Sequence, residues 1–168
     1  MMNVAGNIPV PNPEDVSSID AIIAAAYDVI SGPAGVKRDF DRERSLFISG
    51  ARLIPTSKKP GTVDRDDDSP VEVLDVEGYI ERVTPYFEKN GFYEKEIARR
   101  TEHFGNIAHV WSTYESRYNI DDPEPFMRGI NSIQLLYEAA RWWIVTIYWQ
   151  HESSEHPIPT ITQSNGDR

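Results

Sequence analysis

At 168 residues the chain is long enough for one domain with a substantial core. A formal net charge of −10 argues against general nucleic-acid binding, which needs a basic footprint to displace counterions. An anionic ligand held by a few local arginines is still compatible with that charge. With no cysteine, the chain has no disulfide framework, thiolate nucleophile or cysteine metal site. No apolar run approaches the ~20 residues of a membrane helix. The opening stretch MMNVAGNIPVPNPED has neither the basic start nor the apolar core of a signal peptide. The expectation is a soluble cytoplasmic protein with no membrane and no nucleic-acid partner.

In chain order, residues 1–13 carry Asn, Gly and three prolines and read as an extended arm. A first helix is expected from Glu14 to Ser31, capped by Asp15 or Ser17, with Ile19, Ile22, Ile23, Ala26, Tyr27 and Ile30 on one face. Ser31-Gly32-Pro33 stops it. A second helix is expected over Val36–Leu46, where the charges from Lys37 to Arg44 alternate in sign as a solvated face would. Ala51–Ile54 reads as a short strand. Residues 56–70 are polar and aperiodic, and form either a mobile flap or a disordered loop. Val71–Leu74 reads as a brief strand, and Asp75 caps a third helix to Lys89 that Pro85 bends or shortens. Four long strands follow: Phe92–His103, Ile107–Arg117, Met127–Tyr137 and Arg141–His151. They are rich in Trp, Tyr, Ile, Val and Thr, the residues a pleated, half-buried surface accommodates best. Strands of about eleven residues span roughly 35 Å and curl around something. One domain is expected over residues 14–151, with 152–168 as a tail. The fold class is α+β, a cone in which three N-terminal helices pack in the concave face of a strongly curved, mostly antiparallel sheet.

Two phrases carry a family likeness. Ser45-Leu-Phe-Ile-Ser-Gly-Ala-Arg-Leu-Ile54 and Ala140-Arg-Trp-Trp-Ile-Val145 resemble the helix-to-strand and final-hairpin phrases of the nuclear transport factor 2-like superfamily. This is the cone fold of ketosteroid isomerase, scytalone dehydratase and the SnoaL-like polyketide cyclases. The likeness covers roughly residues 15–151. It implies a pocket between sheet and helices, and any reaction there would be a cofactor-free isomerisation, dehydration or cyclisation. The isomerase carboxylate base falls at Pro55-Thr56, which cannot abstract a proton. The isomerase tyrosine falls near Ala26, one step from Tyr27, and the second acid near Ser132 or Asn131. Paired dehydratase histidines are absent, because His103 and His109 do not share parity.

Superposition on the isomerase pattern points Trp143, Val145, Ile147 and Trp149 inward, with Ile130, Ser132 and Gln134, and with His109, Trp111, Thr113 and Glu115. A one-residue slip would present the opposite set, including Val110, Ser112, Tyr114 and Asn131. In the first register, His109 and Glu115 are the candidate acid/base residues, about 20 Å apart along the strand and addressing two ends of one ligand. The plain alternative makes His109 a hydrogen-bonded sheet histidine and Glu115 a rim carboxylate paired with an arginine. Arg100 and Arg128 are candidate anion contacts, or else cross-strand ion-pair partners. Tyr27, Trp111, Thr113, Ser132, Gln134, Trp143 and Trp149 complete a candidate site for a small apolar or aromatic ligand. The second functional class is a noncatalytic module, a homodimer through the outer sheet face that uses Tyr114, Tyr148 and Trp142. Asp64, Asp66, Asp67 and Asp68 lack the Gly and Glu of a calcium loop, and neither a metal nor a nucleotide motif is present.

Overall fold

The computed structural model describes residues 8–56 and 70–160, so the acidic loop around Asp64–Asp68 lies outside the described residues. A 3-10 turn (Pro13–Val16) leads to helices α1 (Ile19–Ile30) and α2 (Phe40–Leu46). Strand β1 (Phe47–Pro55), helix α3 (Val76–Lys89) and strands β2 (Tyr93–Phe104), β3 (Ile107–Arg117), β4 (Met127–Glu138) and β5 (Arg141–His151) follow. The expected first helix is split. Asn12 caps the 3-10 turn, and Ser18 Oγ accepts from the Ala21 N–H at 3.0 Å to start α1. Asp15 caps nothing; it takes a bidentate pair with Arg42 at 2.8 and 3.0 Å.

The second helix also starts later than its charge pattern implies, at Phe40, with Asp39 as cap. The preceding loop is held by Arg38, which is 5% exposed rather than solvated. Its guanidinium donates to the carbonyls of Ile30, Gly32, Pro33 and Val36 at 2.7–3.0 Å and lies over the Phe87 ring. Asp75 caps α3 as its position predicts, and the helix runs through Pro85 to Lys89. The expected Val71–Leu74 strand is reduced to a single bridge between Leu74 and Leu53. No described helix is long and apolar enough to cross a membrane.

The five strands form one open sheet in the order β1-β5-β4-β3-β2, antiparallel except where β1 runs parallel to β5. Three irregularities bend it. Ile97 is skipped between the Glu96–Tyr114 and Ala98–Thr113 pairs, and Val145 between Gln134–Thr146 and Leu135–Ile144. Register also shifts in β1 beside Gly50, whose φ is 81°. The helices cover the concave face, where Ile22, Ile23, Leu46, Val110, Ile133 and Ile144 form a fully buried core.

Strand parity differs from the expected register. β3 and β4 turn Val110, Tyr114, Asn131 and Ile133 toward the helices, leaving His109, Trp111, Thr113, Glu115, Ile130, Ser132 and Gln134 on the alternate positions. On β5, Ile147 and Trp149 do face inward. The Val145 bulge then reverses parity, so Trp142 and Ile144 are buried in place of Trp143 and Val145. Tyr114 and Trp142 are therefore core residues, 1% and 7% exposed, and cannot supply an outer contact; Tyr148 is 43% exposed.

The β4–β5 hairpin turns through Ala139 and Ala140 at φ of 53° and 59°. Left-handed backbone is unfavourable for alanine, and two-residue hairpins of this twist favour Asn-Gly. Ala140→Gly should raise stability by about 1 kcal/mol in urea denaturation. An unchanged or lowered midpoint would show that the turn carries no strain.

Candidate functional site

Between α1, α3 and the concave sheet lies a cavity of about 550 Å³. Its walls are apolar and aromatic: Ala26 and Ile30 of α1, Val83 and Phe87 of α3, and Ile133 and Ile147 of the sheet. Tyr79 and Trp149, both in the lining, meet edge to face with ring centres 6.1 Å apart. Tyr114 lies over Gly129 on the next strand, where an added Cβ would sit within 2.6 Å of both the Tyr114 ring and the Gln150 carbonyl. Only glycine leaves room for that ring.

A chain of polar contacts crosses the apolar wall. Tyr27 Oη lies 2.7 Å from Ser112 Oγ and accepts from Asn131 Nδ2 at 3.0 Å. Ser112 Oγ donates to the Glu96 carboxylate, which is paired with Arg99 at 2.8 Å; Arg99 also pairs with Asp20. A hydroxyl has one proton, so Ser112, which donates to Glu96, must accept from Tyr27. The Tyr27 proton therefore points toward the surface and not into the cavity. Burial pushes the Tyr27 phenol far above its usual range, reinforced by the charge of Glu94.

Glu94 opens onto the same cavity. Ser31 fixes its backbone to the end of α1, accepting from its N–H at 3.1 Å, and Ser116 Oγ donates to its carboxylate at 2.9 Å. Burial pushes the Glu94 carboxyl up to about 7, against the opposing hydrogen bonds from Ser116 and Asn131. Burial also raises the Tyr114 and Tyr79 phenols, and both feel the charge of Glu94. A second acid, Glu43 of α2, lines the cavity while 2% exposed, and burial pushes it up to about 8. Burial holds His151, also in the lining, down at about 4, so its imidazole is neutral at neutral pH.

Of the residues singled out from sequence, the structure brings Tyr27 and Trp149 to the cavity. The others lie elsewhere. His109 Nε2 is 3.0 Å from Ser132 Oγ, and Trp111 is 39% exposed. Burial raises the Glu115 carboxyl, but Arg117 and Lys95 outweigh it and hold the group below its usual range. Arg128 pairs with Glu152 at 2.9 Å, and Arg100 and Gln134 are exposed. Trp143 donates to the Glu138 carbonyl and stacks under Arg141, while Thr113 is buried away from the cavity lining. Glu43, Glu94, Tyr79, Tyr114 and Asn131 have no sequence motif to mark them. Glu43 sits in a run of charges that reads as solvated, and Glu94 reads as a cross-strand partner for arginine. Among the described residues, no cluster of three or more acidic or histidine side chains is placed to hold a metal.

Neither a family model nor a curated protein matches the sequence. Solved structures do. A Nostoc punctiforme protein of unknown function with a cystatin-like fold superposes with a TM-score of 0.60 at 11% identity, covering 81% of this chain and 90% of its own. A Mycobacterium tuberculosis protein of unknown function gives 0.54 at 13% identity, over 88% of this chain and 78% of its own. LinA gives 0.52 at 12% identity, over 88% and 94%. These likenesses show the fold alone, a cystatin-like cone. At such identities they carry no activity across.

The two acids make stability depend on pH. A carboxyl whose folded pKa lies above its unfolded value binds more protons when folded, so stability falls as pH rises between the two values. For Glu43 that window runs from 4.5 to about 8. Glu43→Gln should gain on the wild type across this window by up to about 1.4 kcal/mol per pH unit. Parallel stability–pH curves for the two proteins would show that Glu43 is ionised in the fold.

Proposed function

We propose that the protein binds a small, largely apolar molecule in the cone and performs a cofactor-free proton transfer on it, an isomerisation, dehydration or cyclisation. The observation that carries this reading is Glu94: a carboxyl held at about 7, in an apolar cavity, with its backbone and one oxygen fixed by Ser31 and Ser116. A group with pKa near the working pH both accepts and returns a proton efficiently. Its neighbours suit the other half of such a reaction. The Tyr114 phenol, protonated far beyond neutrality, has no acceptor among the described residues and is available to a developing oxyanion. The acid/base role first given to His109 and Glu115 passes on this reading to Glu94, since Glu115 is tied up by Arg117 and Lys95.

The test uses an uncharged acetylnaphthalene as probe, with exchange of its methyl-ketone protons for deuterium followed by NMR. Wild-type protein should accelerate exchange, and Glu94→Gln should remove 10²- to 10⁴-fold of that acceleration. Equal exchange with both proteins would overturn the assignment of Glu94.

A second reading rests on a different surface. On the outer sheet face, Trp111 and Tyr148 flank Ser132 in register, and they are 39% and 43% exposed; Ile107, on the same face of β3, is 60% exposed. This strip fits a homodimer contact through the outer sheet face. Sedimentation at micromolar concentration should give a dimer, shifted to monomer by Trp111→Glu; a wild-type monomer would remove the interface.

A further inference from the structure

Glu94 does not account for the other buried acid. Glu43 lines the cavity, and its Oε2 is buried with no hydrogen-bond partner among the described residues. The cations beside it in α2 are directed elsewhere: Arg42 to Asp15 and Asp28, Arg44 to Asp41 and Glu77. Leaving a buried polar atom unsatisfied forfeits its hydration with nothing in exchange, and a native structure rarely holds one without reason. A methionine or leucine at this position would fill the same space without that cost.

We propose that Glu43 is a second polar anchor in the cavity, its carboxyl turning to hydrogen-bond an uncharged oxygen of the ligand at a point separate from Glu94. The ligand class is thus a neutral, mainly apolar molecule with two separated oxygen functions, such as a keto ether or a keto alcohol. This rests on the ligand-binding reading of the cavity. Burial, with Glu77 adding to it and Arg44 opposing it, keeps the Glu43 carboxyl protonated at neutral pH, so its O–H is a donor in search of an acceptor. A carboxylate on the ligand would face two acids. An ammonium would oblige Glu43 to ionise against its burial. The cations of the lining do not alter this: Arg82 is paired with Glu72, and Lys89 is exposed at the end of α3. Tyr79 feels the charges of both Glu43 and Glu94, which places its ring near the path a ligand spanning the two acids would take.

The experiment is calorimetric titration of the full chain at about pH 6, where Glu43 is protonated. Three acetylnaphthalenes serve as probes, carrying at the far end of the rings a methoxy group, its ethyl isostere or an aminomethyl group. The methoxy compound should bind about tenfold more tightly than the ethyl one, as expected for one added hydrogen bond. Glu43→Leu should reduce that ratio below about twofold, and Glu43→Gln, whose amide also donates, should keep most of it. Equal binding of the methoxy and ethyl probes, a ratio that survives Glu43→Leu, or tightest binding by the aminomethyl probe would each overturn the anchor. In those cases probe binding itself persists, and the ligand-binding reading stands. Failure of every probe to bind would overturn both. If Glu43→Leu does not fold, the wild-type ratio and the Glu43→Gln ratio decide.

Discussion

Tyr27 joins the first helix to the middle of the sheet, and the position of everything else in the cone depends on that joint. Apolar packing between α1 and the strands is strong but non-directional, so by itself it leaves the helix free to turn or slide. The hydrogen bonds that Tyr27 makes with Ser112 on β3 and accepts from Asn131 on β4 are directional, and they are buried where water cannot replace them. They set which face of α1 meets the sheet and how far the helix stands off. The same contacts commit the Tyr27 proton toward Glu96 and Arg99 at the surface. The phenol is thereby a structural pin, and the cavity's proton chemistry is left to Glu94 and Tyr114.

Curvature is the second constraint. A regular strand keeps one set of side chains on one face throughout its length, and a bulge breaks that rule once. At Val145 the break moves the inward set from Ile147 and Trp149 to Ile144 and Trp142, so one strand serves the cavity at one end and the core at the other. At Ile97 a similar break bends β2 between Glu94, which opens onto the cavity, and Arg99, which pairs with Asp20 of α1. These bends deepen the concave side beyond what the ordinary twist of a regular sheet gives.

Inside that concavity the electrostatics run against stability. Two carboxyls, Glu43 and Glu94, are held where burial disfavours their charge, and among the described residues no arginine or lysine is hydrogen-bonded to either. Other carboxylates of low exposure, such as Asp15, Glu96, Glu115 and Glu152, are each paired with an arginine. Local rules of good packing are broken mainly at sites that do something, and here both exceptions lie in one cavity.

The amino-acid sequence by itself determined the elements and the class of fold. The β-rich runs at 107–117 and 141–151 have the lengths they show in the structure, Asp75 caps its helix, and the phrases around Leu46 and Trp142 carry the cone's likeness. The candidate site was legible only at Tyr27 and Trp149. Register was the obstacle: with a side-chain period of two, a slip of one residue exchanges Tyr114 and Asn131 for Glu115 and Ser132, and both sets are plausible mixtures of polar and apolar groups. Bulges at Ile97 and Val145 leave no local signature, since they arise from how neighbouring strands pair and twist. Nor does a charged run disclose that Arg38 and Glu43 are buried while Arg42 and Arg44 are not. Burial is decided by what packs from a distance, α1 and α3 closing over the sheet, and with it the protonation of Glu43 and Glu94 was decided by the tertiary structure alone.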